Sequence, residues 1–291
     1  MPKRVFIVGC PRSGTTLLQA ALGSHPSIFT IPETHFFRKL RGRLQQSGRF
    51  GLVSPRSARK SLSELASVTG SSSRVAPGWP LIGAYGREFI RMMDLAAVSR
   101  SKLAWVEKSP VHLHYIDEIR GFAPDAIFIH MLRDGREVVA SLLALCASDP
   151  KRWVPQMFSE MRPRDVSHAP DEWAIADAAV SRWNRDVGLT RFYRSKPSNI
   201  EVVYDELLAQ PRAVLERVCH DLSVGFHERM LDHEASAPEV VGQRRGLGHM
   251  QRVFEPLSAG SRRFDSLRDD LRRHIQISLA GGGDVRKALG P

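Results

Sequence analysis

Cysteine is scarce in this chain: the three residues present, Cys10, Cys146 and Cys219, lie far apart in the sequence. No pair of them has the spacing of a zinc site or of a disulfide framework. Long apolar runs are also missing. The first residues hold only the short run 5–9 before a proline, and no later stretch approaches the ~20 apolar residues of a membrane-spanning helix. We therefore expect a soluble, cytoplasmic protein without stable membrane insertion.

The composition permits one large core, because 42% of the 291 residues are hydrophobic. The net charge of +11 would attract an anionic ligand, a nucleic acid or an acidic lipid. The sequence shows no interleaved aromatic and basic platform of the kind that single-strand binders use, which argues against nucleic acid as a partner. Charge alone does not choose among the remaining ligands.

Short apolar runs alternate along the chain with longer segments of helical periodicity. Four short runs read as buried strands, and three of them are followed by a helical pattern. The predicted strands are 5–8, 103–107, 126–132 and 200–203; the predicted helices are 16–22, 111–120 and 134–146. Ser109 and Pro110 predict the start of the second helix, and Asp134 with Glu137 predicts a capping box at the start of the third. The pattern indicates an α/β fold with a mostly parallel sheet and ligands at the carboxyl ends of its strands.

The chain is expected to form one domain over residues 1–280. Residues 39–102 and 148–170 are less periodic and richer in Arg, Ser, Pro and Gly, so we interpret them as helical excursions and lid loops that shape an acceptor pocket. Residues 281–291 begin with three glycines and are predicted to be a flexible tail.

A glycine-rich segment, residues 9–16, follows the first strand and opens the first helix. Its backbone N–H groups can converge on a phosphate at the positive end of that helix. Thr15 stands where a nucleoside-triphosphate loop requires lysine, which argues against a triphosphate. Arg12 is instead placed to hold a phosphate and the oxygen of a departing group. Cys10 lacks the arginine six positions on that a cysteine phosphatase needs, so we expect it to pack in the core.

Two segments resemble the PAPS-dependent sulfotransferase family, in which PAPS is 3′-phosphoadenosine 5′-phosphosulfate. Residues 11–17, Pro-Arg-Ser-Gly-Thr-Thr-Leu, resemble the family's 5′-phosphosulfate loop, in the style of its protein-tyrosine and bacterial members. Residues 132–141 resemble its 3′-phosphate segment. The resemblance implies a P-loop-type sulfotransferase fold with PAPS as donor and adenosine 3′,5′-bisphosphate (PAP) as product. The donor-binding residues that it implies are Pro11, Arg12, Ser13, Gly14, Thr15, Thr16, Arg133 and Ser141.

The spacing of the second segment agrees with this role. Arg133 ends a strand and Ser141 lies two helical turns into the next helix, so both can reach one anion, although an ion pair between Arg133 and a surface carboxylate is the alternative. Asp134 is explained by capping rather than by metal binding. His112 and His114 lack a third ligand and are expected at the surface, so no metal site is predicted.

Further matches extend the resemblance toward the carboxyl terminus. Residues 202–208 look like the family's strand and short helix after the core, which implies that Tyr204 faces the nucleotide; a half-buried strand tyrosine is the alternative. Residues 258–263 fall where the family has a basic loop over the nucleotide, but the tryptophan that commonly follows is missing. Arg262 is the candidate there.

Transfer of a sulfuryl group to a hydroxyl needs a base and a cation near the departing phosphate. Glu33 lies 21 residues after Arg12, where the tyrosine-sulfotransferase type keeps its glutamate base. His35 is the rival, since its ordinary pKa suits a base at neutral pH, and the two would share one face of a strand.

Lys108 resembles the family lysine that contacts the sulfonate. Its alternative, an ion pair with Glu107, is disfavoured because neighbours on a strand point to opposite faces.

Two other classes remain as alternatives, a small-molecule kinase and a nucleotide-binding pseudoenzyme. The missing loop lysine argues against the kinase, whereas only turnover separates the pseudoenzyme. The acceptor is left open between small-molecule, carbohydrate and peptide hydroxyls, because one fold hosts many acceptors. The sequence is silent on the oligomeric state.

Overall fold

A computed structural model describes most of the chain. The described residues are 1–41, 55–74, 81–158, 170–235, 237, 240, 254, 255, 257 and 262–290.

Five strands form one sheet, in the order β2-β3-β1-β4-β5, and each pairing between them is parallel. The strands are β1 (Lys3–Gly9), β2 (Ile28–Thr30), β3 (Ala104–Lys108), β4 (Ile127–Leu132) and β5 (Asn199–Val203). The predicted parallel α/β sheet is confirmed, and four predicted strands lie within two residues of the observed ones. The edge strand β2 was not predicted, because three residues are too few to give a pattern.

The central strand β1 is covered on both faces. Phe6 and Val8 pack into one core with Trp105, whereas Val5 and Ile7 pack into a second core on the opposite face. Successive side chains of a strand alternate between faces, so a strand with helices on both sides is apolar at every position. This is why the run at the start of the chain reads as a continuous apolar stretch.

Helices surround the sheet and supply the second layer of each core. They are α1 (Thr15–Gly23), α2 (Phe36–Arg41), α3 (Pro55–Thr69), α4 (Ile82–Ser99), α5 (Ile116–Phe122), α6 (Gly135–Ser148), α7 (Pro150–Phe158), α8 (Glu172–Tyr193), α9 (Tyr204–Ala209), α10 (Pro211–Asp221), α11 (Asp269–Ser278) and α12 (Val285–Leu289). Within the described ranges, no helix is long and apolar enough to cross a membrane.

Two predicted helix starts differ from the observed ones. Asp134 caps α6 by accepting a hydrogen bond from the backbone N–H of Arg136, but Glu137 does not complete a capping box, because its carboxylate accepts from residues near the carboxyl terminus. Ser109 makes no side-chain cap; a 3₁₀ helix, Pro110–Tyr115, follows it and leads into α5. The side chains of Ser109 and Glu137 are used in tertiary contacts instead.

The predicted tail, residues 281–291, contains regular structure in its described part, residues 281–290. Gly281, Gly282 and Gly283 adopt positive φ values within a short 3₁₀ turn, and α12 follows, with Asp284 accepting hydrogen bonds from two backbone N–H groups at its start. Val285 and Leu289 are buried against the core that contains α6 and α8. The glycines therefore form a turn rather than a frayed end, since apolar residues beyond them are buried.

The described parts of the two intervening segments contain helices. Residues 39–102 contain α3 and α4, and residues 148–170 contain α7, whereas residues 42–54, 75–80 and 159–169 lie outside the described part. The carboxyl ends of β1, β3 and β4 meet at one edge of the sheet, where β1 leads into the predicted phosphate loop.

Candidate active site

The phosphate loop joins β1 to α1 through several residues of unusual backbone geometry. Gly9 and Gly14 have φ values of 144° and 91°, and Arg12 adopts the left-handed region at 74°, which is rare for a residue with a side chain. Gly14 must lack a side chain, because a Cβ there would overlap the ring of Tyr204. Helix α1 begins directly after Gly14 with no side-chain cap. The loop and the helix start thus present backbone donors where an anion can bind.

Arg12 is held by both residues of the predicted 3′-phosphate segment. Its Nε donates a hydrogen bond to Oγ of Ser141 at 3.0 Å, and its backbone carbonyl accepts from Nη1 of Arg133 at 3.0 Å. The Arg133 guanidinium also lies over the ring of Tyr204, 4.5 Å from its centroid. The two segments whose motifs predict different phosphate sites therefore form one continuous surface.

Three arginine side chains place like positive charges close together at this surface. Burial, together with the positive charges of Arg263 and Arg133, lowers the pKa of Arg12 to about 10. Like charges gathered around a buried guanidinium oppose one another, so the arrangement favours a bound anion that relieves their repulsion. Such a cluster fits the phosphates of a nucleotide.

Arg263 was not among the residues predicted from the sequence, where its neighbour was favoured. Both Glu137 oxygens accept hydrogen bonds from the backbone, from N–H of Arg263 at 3.1 Å and of Phe264 at 3.2 Å. This contact fastens the carboxyl-terminal loop to α6, beside Arg133. Arg262 is exposed and stays a prediction, while residues 258–261 lie outside the described part. No sequence signal distinguishes two adjacent arginines before the tertiary contact of Glu137 is known.

Tyr204 lies at the start of α9, not within the strand. It is only 7% exposed, with its ring against Gly14 and under Arg133. The Tyr204 ring therefore packs against both the phosphate loop and the Arg133 guanidinium. The alternative of a half-buried strand tyrosine does not describe this contact.

A lysine and a glutamate meet at the mouth of the phosphate loop. Nζ of Lys108, at the end of β3, donates to Oε2 of Glu33 at 2.9 Å, and Nδ1 of His35 lies 3.3 Å from Oε1 of the same carboxylate. Lys108 is 2% exposed. As strand alternation predicts, Lys108 does not pair with Glu107, whose carboxylate has other partners.

One expectation about this group is wrong. Glu33 and His35 do not share a strand face, because β2 ends at Thr30 and His35 adopts a left-handed φ of 52°. They are brought together instead by a loop that turns into α2. The two candidate bases therefore lie side by side by virtue of a bend rather than by strand periodicity.

A cavity of about 360 Å³ connects these groups. Its walls combine the phosphate loop, the three side chains of Glu33, His35 and Lys108, which we call the Glu33 group, and apolar and basic side chains of α6, α7 and α8. The lining residues are Pro11, Arg12, Thr15, Thr16, Glu33, His35, Arg38, Lys108, Pro110, Val111, Leu142, Leu145, Cys146, Arg152, Trp153, Gln156, Met157 and Arg182. Helix α7, which lies in residues 148–170, lines the cavity, whereas the described parts of residues 39–102 contribute no lining side chain.

One cysteine and two histidines that the sequence analysis considered as reactive or metal-binding residues lie in packed surroundings. Cys10 is buried and burial raises the pKa of its thiol well above the ordinary value, so it packs in the core as predicted. His112 was expected at the surface and is instead fully buried, bonded to Glu107; His114 is partly buried and contacts Asp186. Across the described ranges, no three His, Cys, Asp or Glu side chains are grouped to hold a metal.

Comparison with known proteins decides the family. Residues 2–228 match the family model described as "Sulfotransferase family". The chain belongs to the sulfotransferase family. The matched region contains the phosphate loop, Glu33, Lys108 and the Arg133 segment, so the resemblance stated from the motifs is confirmed.

Several curated proteins are similar in sequence, among them two named protein-tyrosine sulfotransferases. Protein-tyrosine sulfotransferase 1 of Danio rerio is 25% identical over 248 residues, 84% of this chain and 58% of the relative. Protein-tyrosine sulfotransferase A of Caenorhabditis elegans is 23% identical over 261 residues, 85% of this chain and 56% of the relative. Nodulation protein NoeE of Sinorhizobium fredii is 30% identical over 237 residues, 75% of this chain and 49% of the relative. The chain thus spans about half the length of these relatives.

Solved structures confirm the fold. The sulfotransferase domain from the curacin biosynthetic pathway has a TM-score of 0.56 at 17% identity, covering 99% of this chain and 89% of that domain. Sulfotransferase STF1 from Mycobacterium tuberculosis has a TM-score of 0.50 at 16% identity, covering 87% of this chain and 76% of that one. This sulfotransferase chain therefore has the family's parallel sheet and flanking helices.

Proposed function

We propose that this sulfotransferase transfers the sulfuryl group of PAPS to a hydroxyl acceptor by in-line displacement. The observation that carries the proposal is the Glu33–Lys108 pair at the mouth of a phosphate loop that lacks the triphosphate lysine. A carboxylate and an ammonium group at this place supply the base and the cation that the reaction needs.

The donor's phosphates have matching groups in the cluster around Arg12. The loop amides and Arg12 would hold the 5′ end, and Arg133 with Ser141 would hold the 3′-phosphate, with Arg263 adding positive charge. Tyr204 supports the loop and Arg133. The lowered pKa of Arg12, caused by burial and by two neighbouring arginines, supports an anion-binding role for this surface.

Glu33 would accept the proton of the acceptor hydroxyl. Lys108 has three donors, so one N–H can remain on Glu33 while the others stabilise charge on the sulfonate and on the departing oxygen. His35 lies beside the same carboxylate and is the alternative base. The fixed positions of these groups would replace part of the entropy cost of bringing donor and acceptor together.

The acceptor would occupy the cavity in front of Glu33. Its walls mix apolar side chains such as Leu142 and Met157 with basic ones, and Trp153 offers an aromatic face. A cavity of this volume suits a small molecule, a sugar ring or one side chain of a peptide. These three acceptor classes stay open, as does the oligomeric state.

Neither metal dependence nor nucleic-acid binding is part of the proposal. A kinase is disfavoured because Thr15 occupies the position of the phosphate-binding lysine. The cytoplasmic location also stays a prediction, to which the free, buried state of the three cysteines adds support.

Two experiments test the proposal. PAP should raise the melting temperature of the protein by mass action, whereas ATP with Mg²⁺ should not. A screen of phenols, sugars and tyrosine peptides with radiolabelled PAPS should then reveal an acceptor that takes up the label. Stabilisation by ATP with Mg²⁺ and none by PAP would favour the kinase, and binding of PAP without turnover on any acceptor would favour a pseudoenzyme.

A further inference from the structure

A buried carboxylate lies directly behind the Glu33 group and is not used by the proposed chemistry. Glu107, the residue before Lys108 in β3, is fully buried, as are Ser109 and His112. One oxygen of Glu107 accepts from the hydroxyls of Ser109 and Thr34, each at 2.7 Å, and the other contacts Nδ1 of His112 at 2.9 Å. We call these four side chains the Glu107 network.

The protons of the network can be assigned from its partners. The backbone N–H of Phe37 can only donate, and it lies 3.3 Å from Nε2 of His112, so Nε2 is the unprotonated nitrogen. The Nδ1–H of the imidazole therefore donates to Glu107. Burial favours the neutral acid, but the contacts with His112, Ser109 and Thr34 outweigh it and hold the pKa of Glu107 below its ordinary value.

The network also binds the backbone of the loop that carries the candidate bases. Oγ of Ser109 accepts from N–H of His35 at 2.9 Å, and Oγ1 of Thr34 accepts from N–H of Phe36 at 3.1 Å. The N–H of Phe37 donates to His112 in the same way. Three consecutive backbone N–H groups therefore donate to side chains that are hydrogen-bonded to Glu107. These bonds hold His35 in its left-handed conformation, which is unfavourable for a residue with a side chain.

Strand β3 thereby controls the site from both faces. Lys108 bonds the Glu33 side chain on the cavity side, and Glu107 fixes the backbone of residues 34–37 on the core side. Neighbouring residues of a strand point to opposite faces, so one dipeptide can do both. The His112 ring also makes edge-on contacts with the rings of Phe6 and Phe37.

From this geometry we infer that Glu107 is a positioning residue for sulfuryl transfer: through Thr34, Ser109 and His112 it sets the orientation of Glu33 and His35 toward the acceptor. The inference rests on the proposed function, since it assigns the base to this loop. It does not place Glu107 in contact with donor or acceptor.

Glutamine at position 107 cannot reproduce the network. If its NH₂ replaces the oxygen beside His112, two donors face each other, and reversing the imidazole tautomer only moves the conflict to the Phe37 N–H. If the NH₂ instead faces the hydroxyls, the O–H protons of Thr34 and Ser109 lose the carboxylate oxygen that accepted them, since an NH₂ group cannot accept a hydrogen bond. Every arrangement leaves a buried donor unmatched, and the loop must shift to relieve it.

The test compares Glu107→Gln with a matched pair at Thr34. Thr34→Val has nearly the shape of threonine without the hydroxyl, whereas Thr34→Ser keeps the hydroxyl. Thr190→Val is the control, since Thr190 is buried and its hydroxyl contacts His130 in a separate network. With radiolabelled PAPS and the acceptor found by the screen, Glu107→Gln and Thr34→Val should lower kcat about 10- to 100-fold, the effect of a small misplacement of reacting groups. PAP affinity by calorimetry and KM for PAPS should be unchanged, and Thr34→Ser and Thr190→Val should have parental kcat.

A second readout does not depend on turnover. In the PAP complex, hydrogen exchange of the amides of residues 34–37, measured by mass spectrometry, should be faster in Glu107→Gln and Thr34→Val than in the parent and in both controls. Parental kcat and parental exchange in folded Glu107→Gln or Thr34→Val would overturn the inference while leaving the proposed function intact. If the parent itself transfers no label, the proposed function fails, and exchange still tells whether Glu107 orders the loop. If Glu107→Gln does not fold, the Thr34 pair decides.

Discussion

Oγ of Ser141 accepts a hydrogen bond from Nε of Arg12 at 3.0 Å, although 129 residues separate the two in sequence. The bond links the phosphate loop to helix α6. Arg133 adds a second link through the Arg12 carbonyl. The two halves of the proposed donor surface are therefore joined by direct contacts.

Removal of either arginine should weaken donor binding. Arg12→Ala and Arg133→Ala should each reduce PAP affinity by about 1.5–3 kcal/mol, the usual contribution of a charged hydrogen bond. Arg212, which is half exposed and paired with Glu228, provides the control as Arg212→Ala. Calorimetric titration measures all three. Parental affinity in both Arg12→Ala and Arg133→Ala would remove them from the donor site.

Gly14→Ala should damage the phosphate loop in two ways. The backbone at φ 91° strains any side chain, and the added methyl would overlap the Tyr204 ring. We expect a loss of about 1–3 kcal/mol in unfolding free energy together with weaker PAP binding. Gly70→Ala is the control, because Gly70 has a φ of 72° and nothing within 4 Å of the added atom. Equal effects of the two substitutions on stability, with PAP binding intact, would show that Gly14 is needed only for its backbone.

Turnover should survive an excess of EDTA. The proposed chemistry uses Lys108 and the arginine cluster to stabilise charge and leaves no task for a divalent ion. Initial rates with and without the chelator make the comparison. Activity that disappears in EDTA and returns with Mg²⁺ would contradict this mechanism.

Acid should destabilise the fold through His130. Burial lowers the pKa of His130 to about 4, despite a hydrogen bond from its ring to Asn199. Between its ordinary pKa and this value, the unfolded chain binds a proton that the folded chain does not, so stability falls as the pH drops from about 6.5 toward 4. The full shift corresponds to about 3 kcal/mol.

Denaturant unfolding over this pH range checks the prediction. His130→Gln should be less stable than the parent at pH 7 and should show a shallower decline toward pH 4. The exposed His220 supplies the control His220→Gln, which should keep the parental slope. An unchanged slope in His130→Gln would place the acid sensitivity elsewhere.

The parts of the site that follow a strand were predictable from sequence. The phosphate loop after β1 and Lys108 at the end of β3 occupy places where a parallel sheet gathers its ligands, so local patterns were enough to find them. The proximity of Glu33 to His35 was predicted, but for a wrong reason, since a strand was assumed where a loop bends. Three-residue β2 gave no periodicity from which that bend could be inferred.

What the sequence concealed depends on distant contacts. Arg263 reaches the site because Glu137 binds its backbone from α6, and nothing local separates it from Arg262. Burial of His112 depends on Glu107 and on aromatic rings from other elements. A local pattern shows which residues are apolar, whereas a buried polar group is specified by partners that only the fold brings together.

The most direct test of the proposed mechanism is transfer of label from PAPS to the identified acceptor by the parent and by Glu33→Gln. The amide keeps the shape of the side chain but cannot take a proton, so turnover should fall about 10²- to 10⁴-fold while PAP affinity is unchanged. His35→Ala is measured beside it and should be the milder change. If Glu33→Gln keeps about a tenth or more of parental turnover and His35→Ala is the more damaging substitution, the base is His35 and the assignment of Glu33 as the base is wrong.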